Sequence, residues 1–271
     1  MRYRSSGVVL AMAALIWAAA PSASHAQDQK RPDRIAGKPN FNGIWHALNS
    51  AYWNLEAHSA APVPEFWRMG AIMSIPAGKS VVVGGTIPYK PEAFKKRMEN
   101  EKNWPRDDQA ANCYMPGIPR ANYMPYPFEI VQGDQNFQFV YAFAKSNRIV
   151  YMKEKVPAPI DYWMGMSNGH WEGDTLVVVV NGNDDRTWLD RAGDFHSNKM
   201  VVTERFKLID ANTIDYEATI NDPETFTKPW TIKMPLYRDI NPDAQLLDYN
   251  CVEFSERKVY GHLEKFPDED Q

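Results

Sequence analysis

Lys199-Met-Val-Val-Thr-Glu-Arg-Phe-Lys-Leu-Ile-Asp210-Ala-Asn-Thr-Ile-Asp-Tyr-Glu-Ala-Thr-Ile220 is the stretch on which the fold turns. Residues 199–209 and 213–220 are rich in β-branched and aromatic side chains, and Asp210-Ala211-Asn212 separates them by a turn of hairpin length. In the first of these strands Val202 and Phe206 share one face, and Val201 and Thr203 share the other. Alternation then puts Glu204 on the Val202 face, which is the interior if that face is buried. An interior carboxylate in an apolar barrel has a raised pKa and can serve as a proton donor. A cross-strand ion pair is the competing use of the same residue.

Working outward, the same pattern recurs on both sides. Strands are predicted at 128–132, 137–144, 148–153, 175–180, 227–237 and 246–256, with a Glu172-Gly173-Asp174 turn ahead of 175. Phe41-Asn-Gly-Ile-Trp-His46 adds an opening strand with Gly43 and Trp45 in the G-x-W spacing of lipocalin-type barrels. Residues 50–90, with Trp53, Trp67, Met69 and Met73, read as a long apolar-lined excursion. One helix is expected, at 91–103, where Pro91 opens the run and Pro105 closes it. About nine short strands and one short helix predict a mainly β protein: an antiparallel, lipocalin-like barrel or strongly bent sheet.

Residues 1–26 read as a secretory signal peptide. Arg2 and Arg4 are followed by an apolar run from Gly7 to Ala20 and by Ser24-His25-Ala26 at the cleavage position. The run is about 14 residues long, short of the roughly 18–20 that span a bilayer. A periplasmic or secreted chain beginning near Gln27 follows, with 27–271 as a single β-barrel-like domain and no membrane insertion after processing. Losing the two arginines takes the formal charge from −4 to −6. With no basic stripe, nucleic acid is not an expected partner. Cys113 and Cys251 both lie in the mature part, and in an oxidising compartment two cysteines most simply form one disulfide.

Glycine-rich phosphate loops, H-E-x-x-H, G-x-S-x-G and C-x-x-C are absent from the chain. His46, His58, His170, His196 and His262 show no i, i+2 or i, i+4 spacing, so no metal ligand set is assigned and no cofactor is expected. The densest polar constellation is 181–204, which carries Asp184, Asp185, Asp190, Asp194 and His196 with Trp188 and Phe195 interleaved. A connection of that length between strong strands is a candidate site. His196, oriented by Asp190, is the acid/base pair these residues offer, with Glu204 as a further proton donor. Turn hydrogen bonds from the Asp and Asn side chains are the plainer reading of the same segment.

A second candidate wall is Cys113-Tyr-Met-Pro-Gly-Ile-Pro-Arg120 running on to Tyr123 and Tyr126, with Arg120 available for a carboxylate or carbonyl. Trp163 and Met166 belong to a third, aromatic–methionine cluster at 162–166. With 12 Met, 9 Trp and 13 Tyr in the chain, the composition suits an adaptable apolar pocket.

Several of these motifs together resemble a widespread family of exported, largely uncharacterised bacterial β-rich proteins. The likeness rests on Asn112 to Arg120, Pro125 to Gln132, His170-Trp-Glu-Gly-Asp-Thr-Leu-Val-Val178, Thr187-Trp-Leu-Asp190, Gly193 with His196-Ser197, Glu204-Arg205-Phe206 and Lys228-Pro-Trp230. The resemblance implies a lipocalin-like architecture and no single activity. In that family a His often precedes Ser167 and an Asp-Thr pair often follows Val178, where this chain has Met166 and Val179-Val180. The departures imply a drier pocket.

The expectation is therefore a periplasmic enzyme acting on a hydrophobic, aromatic or polycyclic small molecule by cofactor-free acid/base chemistry, as a lyase (dehydratase-like) or isomerase. His196, Asp190 and Glu204 would be catalytic, and Arg120, Tyr123, Tyr126, Trp163, Met166 and Trp188 would bind substrate. A non-catalytic periplasmic carrier for an apolar small molecule is the alternative.

Overall fold

The computed structural model describes residues 33–63 and 74–251. The signal reading at 1–26 lies outside them, as do Trp67, Met69, Met73 and the predicted strand positions beyond Cys251. The described residues from Asp33 to Cys251 form one compact unit.

The protein is mainly β, a closed barrel of nine strands among the described residues. In chain order these are β1 (Gly43–His46), β2 (Phe128–Gln132), β3 (Asn136–Tyr141), β4 (Asn147–Tyr151) and β5 (Met166–Glu172), followed by β6 (Thr175–Asn181), β7 (Val201–Asp210), β8 (Thr213–Asn221) and β9 (Trp230–Arg238). The hairpin read from 199–220 is β7–β8, in register from Val201 opposite Asn221 to Leu208 opposite Ile214, with an irregularity at the turn. Consecutive strands pair antiparallel with one exception. β4 and β5 run parallel, Val150 opposite Ser167, because the connection after Tyr151 crosses over instead of turning back. β9 meets β1 at Tyr237–His46 and Arg238–Trp45, which closes the sheet. The first half of β9 is covered by the excursion, whose Val82 bridges to Ile232.

Residues 246–250 do not form the expected strand; they contribute one bridge, Tyr249 to Phe143. Neighbouring Cys251 is tied to Cys113 by the expected disulfide, which closes a loop of 138 residues. The chain-entropy model gives such a loop about 4–5 kcal/mol of stabilisation.

Alternation fills the lumen with side chains. Leu176, Val178 and Val180 of β6 point inward, as do Val202 and Phe206 of β7 and Ile214 and Tyr216 of β8, all with no exposed surface. Phe128, Phe139 and Trp45 close the opposite wall. The barrel is thus a packed core.

Helix α1 (Pro91–Asn103) has Pro91 in its first turn, Glu92 near its N-terminus and Lys102 near its C-terminus, and buries none of its residues fully. It lies across the turn at 190–194, where a Cβ on Gly193 would meet Arg97 O at 2.8 Å and Glu101 N at 2.6 Å. Gly193 also has φ +88°, so this docking requires glycine on both counts. Among the described residues no helix is long and apolar enough to cross a membrane.

Candidate functional site

The two segments singled out in the sequence meet at one end of the barrel. Tyr123 donates its hydroxyl hydrogen to Leu189 O at 2.8 Å, and Gly117 packs directly on the Thr187 side chain. From the short helical turn Arg120–Tyr123, Asn122 reaches into the lumen and donates to Glu204 Oε1 at 2.6 Å and to the Tyr216 hydroxyl at 2.9 Å.

Inside the lumen, Glu204 is paired. Arg148 Nη1 donates to its Oε2 at 2.6 Å, Tyr216 donates to Oε1 at 2.8 Å, and Tyr141 donates to Asn122 Oδ1 at 2.9 Å. Glu204 has no exposed surface and Arg148 is 4% exposed. Of the two uses foreseen for this carboxylate, the ion pair is the one formed. It reaches across the barrel to β4 instead of to a neighbouring strand.

The expected hydrogen bond between His196 and Asp190 does not form. His196 Nε2 lies 2.8 Å from Thr187 Oγ1 and Nδ1 lies 2.9 Å from Ser197 O. A carbonyl only accepts, so Nδ1 carries the hydrogen and fixes the ring. Burial lowers the pKa of His196 against the pull of the Ser197 carbonyl and of Asp222, Asp185 and Asp184. A neutral imidazole held this way orders the loop.

Asp190 has a different partner. Its Oδ2 accepts from Leu55 N at 2.9 Å, and its Oδ1 accepts from Ala192 N at 2.9 Å and Asp194 N at 3.1 Å. Burial, and then the charge and hydrogen bond of Asp194, raise the Asp190 carboxyl well above the usual range. Asp194 Oδ1 accepts from the Tyr89 hydroxyl at 2.8 Å and from Arg97 Nε at 3.4 Å, while its buried Oδ2 meets no donor. Two carboxyl groups within hydrogen-bonding reach, one with an orphaned oxygen, fit a single proton shared between them. Burial and Asp194 likewise raise Tyr89 well above the ordinary phenol value. Asp194 lies four residues after Asp190, but nothing in the spacing alone marked it over Asp184 or Asp185, since the turn that folds it back depends on Gly193.

The remaining predicted residues separate. Arg120, 1% exposed, gives both guanidinium arms to Asp108 at 2.7 Å each, so it is already committed and does not offer itself to a substrate oxygen as expected. Tyr123 is spent on Leu189 O, and Trp188 is buried against Phe195. Tyr126 is half-buried and stacks on Phe143 and Tyr249. Trp163 is half-buried between Tyr114 and the Arg186 guanidinium. Met166 sits at the start of β5 opposite Asn181, away from the carboxylate pair in the strand register.

Sequence reasoning passed over Arg191. Its backbone N donates to Tyr52 O at 3.0 Å, and the adjacent Asp190 takes Leu55 N, so the loop bearing Tyr52 and Trp53 is pinned to this turn by two bonds. The Arg191 guanidinium then lies over Trp53 at 4.4 Å, Tyr52 at 5.2 Å and Trp104 at 5.3 Å. Cation–π contacts of this kind contribute about 0.5–2 kcal/mol each. Burial and the Arg120 charge lower its pKa. A lone arginine beside an aspartate carries no signal of this in sequence, because the rings come from positions 52, 53 and 104.

Among the described residues no three His, Cys, Asp or Glu side chains come together as a metal-holding group. Comparison with known proteins finds no family model and no curated protein that matches this chain.

Proposed function

We propose that the protein is an exported enzyme that acts on a hydrophobic, aromatic or polycyclic small molecule by cofactor-free proton transfer, as a lyase or isomerase. The carrying observation is the buried Asp190–Asp194 pair, with Asp190 raised well above the usual carboxyl range and Asp194 Oδ2 unmatched by any donor. The raised Asp190 carboxyl holds its proton to higher pH than an ordinary carboxyl does, and can give or take it without metal or nucleotide. Tyr89, half-buried and hydrogen-bonded to Asp194, links the pair towards the protein surface and is the group through which a proton would pass in this reading. His196, the residue favoured from the sequence, is assigned a positioning role for the 181–200 loop.

Export is supported by the Cys113–Cys251 disulfide, which belongs in an oxidising compartment. It also fits the resemblance to exported bacterial proteins. Nucleic acid is not a partner in this reading, given the acidic balance of the chain.

A specific observation favours the carrier as a second reading: Asp190 has no exposed surface and Asp194 is 2% exposed. Turnover of a panel of aromatic enol, hydroxy-ketone and β-hydroxy-carbonyl compounds separates the two. The enzyme reading expects Asp194→Asn and Tyr89→Phe to lower kcat by at least about 100-fold, with His196→Gln retaining most of it. Full turnover in Asp194→Asn overturns the assignment, and binding without conversion across the panel establishes the carrier.

A further inference from the structure

Arg191 presents an open guanidinium. It makes no side-chain hydrogen bond or ion pair among the described residues, although it stands among titratable groups. Asp108, a carboxylate whose charge reaches Arg191, is saturated. It receives two bonds from Arg120, one from the Trp104 indole at 3.2 Å and one from Ala110 N at 3.1 Å. Among the described residues Asp108 is thus committed to Arg120, and the positive charge of Arg191 has no carboxylate bonded to it. Arg191 is half-buried as a residue, its guanidinium carbon lies 4.4–5.3 Å from the ring centres of Tyr52, Trp53 and Trp104, and its side-chain N–H donors meet no acceptor among the described residues.

We propose that Arg191 and the rings of Tyr52, Trp53 and Trp104 form a binding site for the carboxylate of a small aromatic acid. The planar fork matches a carboxylate bidentately, and the half-buried Tyr52 and Trp104 offer ring surface to an apolar body. One open cation answers one negative charge. A phosphate dianion would call for a second, and Arg120 is already committed to Asp108. The site stands apart from the acid/base reading, since it requires binding and no conversion.

The probe is 2-naphthoate, followed by quenching of tryptophan fluorescence and by calorimetry on the full mature chain, with 2-naphthalenemethanol as its uncharged counterpart. The expected result is saturable binding of the acid at least tenfold tighter than of the alcohol. Arg191→Gln and Arg191→Lys should weaken the acid at least tenfold and leave the alcohol unchanged. Inorganic phosphate at the same concentration should not displace the acid. Equal affinity for acid and alcohol in the unaltered protein overturns the proposal without recourse to any variant, as does absence of naphthoate binding. Displacement by phosphate overturns the choice of carboxylate. Neither result touches the turnover test of Asp194→Asn, so the two readings fail separately.

Discussion

Arg148 and Arg191 both lay a guanidinium over an aromatic ring at 4.4 Å, on Phe139 and Trp53 respectively, and there the likeness ends. Arg148 is sealed in the lumen with Glu204, Tyr216, Asn122 and Tyr141, so each charge meets its opposite and each hydroxyl an acceptor. At the barrel end, the Asp190–Asp194 pair sets two carboxyl groups together, and Arg191 has no carboxylate partner among the described residues. Apart from Arg148 Nε, which has no acceptor, the lumen network is paired throughout and serves the fold, because an unpaired member in low dielectric is costly. The orphaned Asp194 oxygen and the unpaired Arg191 donors stand outside such a balance, and they are what the two proposals for this end rest on.

The sharpest way to break the comparison is to open the closed network. Arg148→Met strands Glu204 in the lumen and should cost about 3–5 kcal/mol of stability by chemical denaturation. Replacing both, Arg148→Met with Glu204→Leu, should recover most of that loss, since the stranded charge goes with its partner. Equal losses in the single and double variants would mean that the apolar lumen, not the ion pair, sets the cost.

At the barrel end the corresponding change should act in the opposite direction. Asp194→Asn keeps an oxygen for Tyr89 and supplies an N–H to Asp190 in place of the shared proton. Asp190 is raised in the folded state, so the folded protein holds a proton that the unfolded chain has released. Stability therefore falls as pH rises from the ordinary carboxyl range through that raised value. The variant should lose this slope and be more stable than the unaltered protein at pH 8, by on the order of 1 kcal/mol. Urea denaturation between pH 5 and 8 reads it. A steeper slope in the variant would rule out a shared proton.

His196 supplies a smaller effect of opposite sign. Its folded value lies below the ordinary 6.5, so its stabilising contribution is complete above that pH and is lost as pH falls through the folded value. His196→Gln should flatten the stability profile below pH 6.5. A profile that keeps its slope there would assign the acid loss to the carboxylates.

These contrasts also mark how far sequence reading reaches. β7–β8, helix α1 and the inward face of Glu204 were legible because they depend on periodicity and on local turn residues such as Pro91 and Asp210. The parallel β4–β5 pair was not, since a crossover leaves no trace in either strand's own pattern. The pairing of His196 with Asp190 failed for a similar reason. Both residues sit in one loop, but that loop turns Asp190 toward Leu55 and His196 toward Thr187, and contacts from distant segments decide which way each points. Arg191 was invisible because its meaning lies in what it lacks.

The smallest expected effect is therefore the most telling. Arg191→Met keeps an unbranched stem over Trp53 and removes the charge, and it leaves no carboxylate stranded, because Asp108 stays bound to Arg120. Stability should fall by about 0.5–1 kcal/mol, the part of the cation–π contact that the methionine thioether over the rings does not restore. The same exchange of Arg for Met thus separates the two regions by several kcal/mol, although both side chains rest on aromatic rings. A loss at Arg191 approaching that at Arg148 would mean that the ring contacts alone hold the turn together. It would move Arg191 from the proposed recognition role to scaffold, and leave the orphaned Asp194 oxygen as the feature of this end on which the acid/base proposal rests.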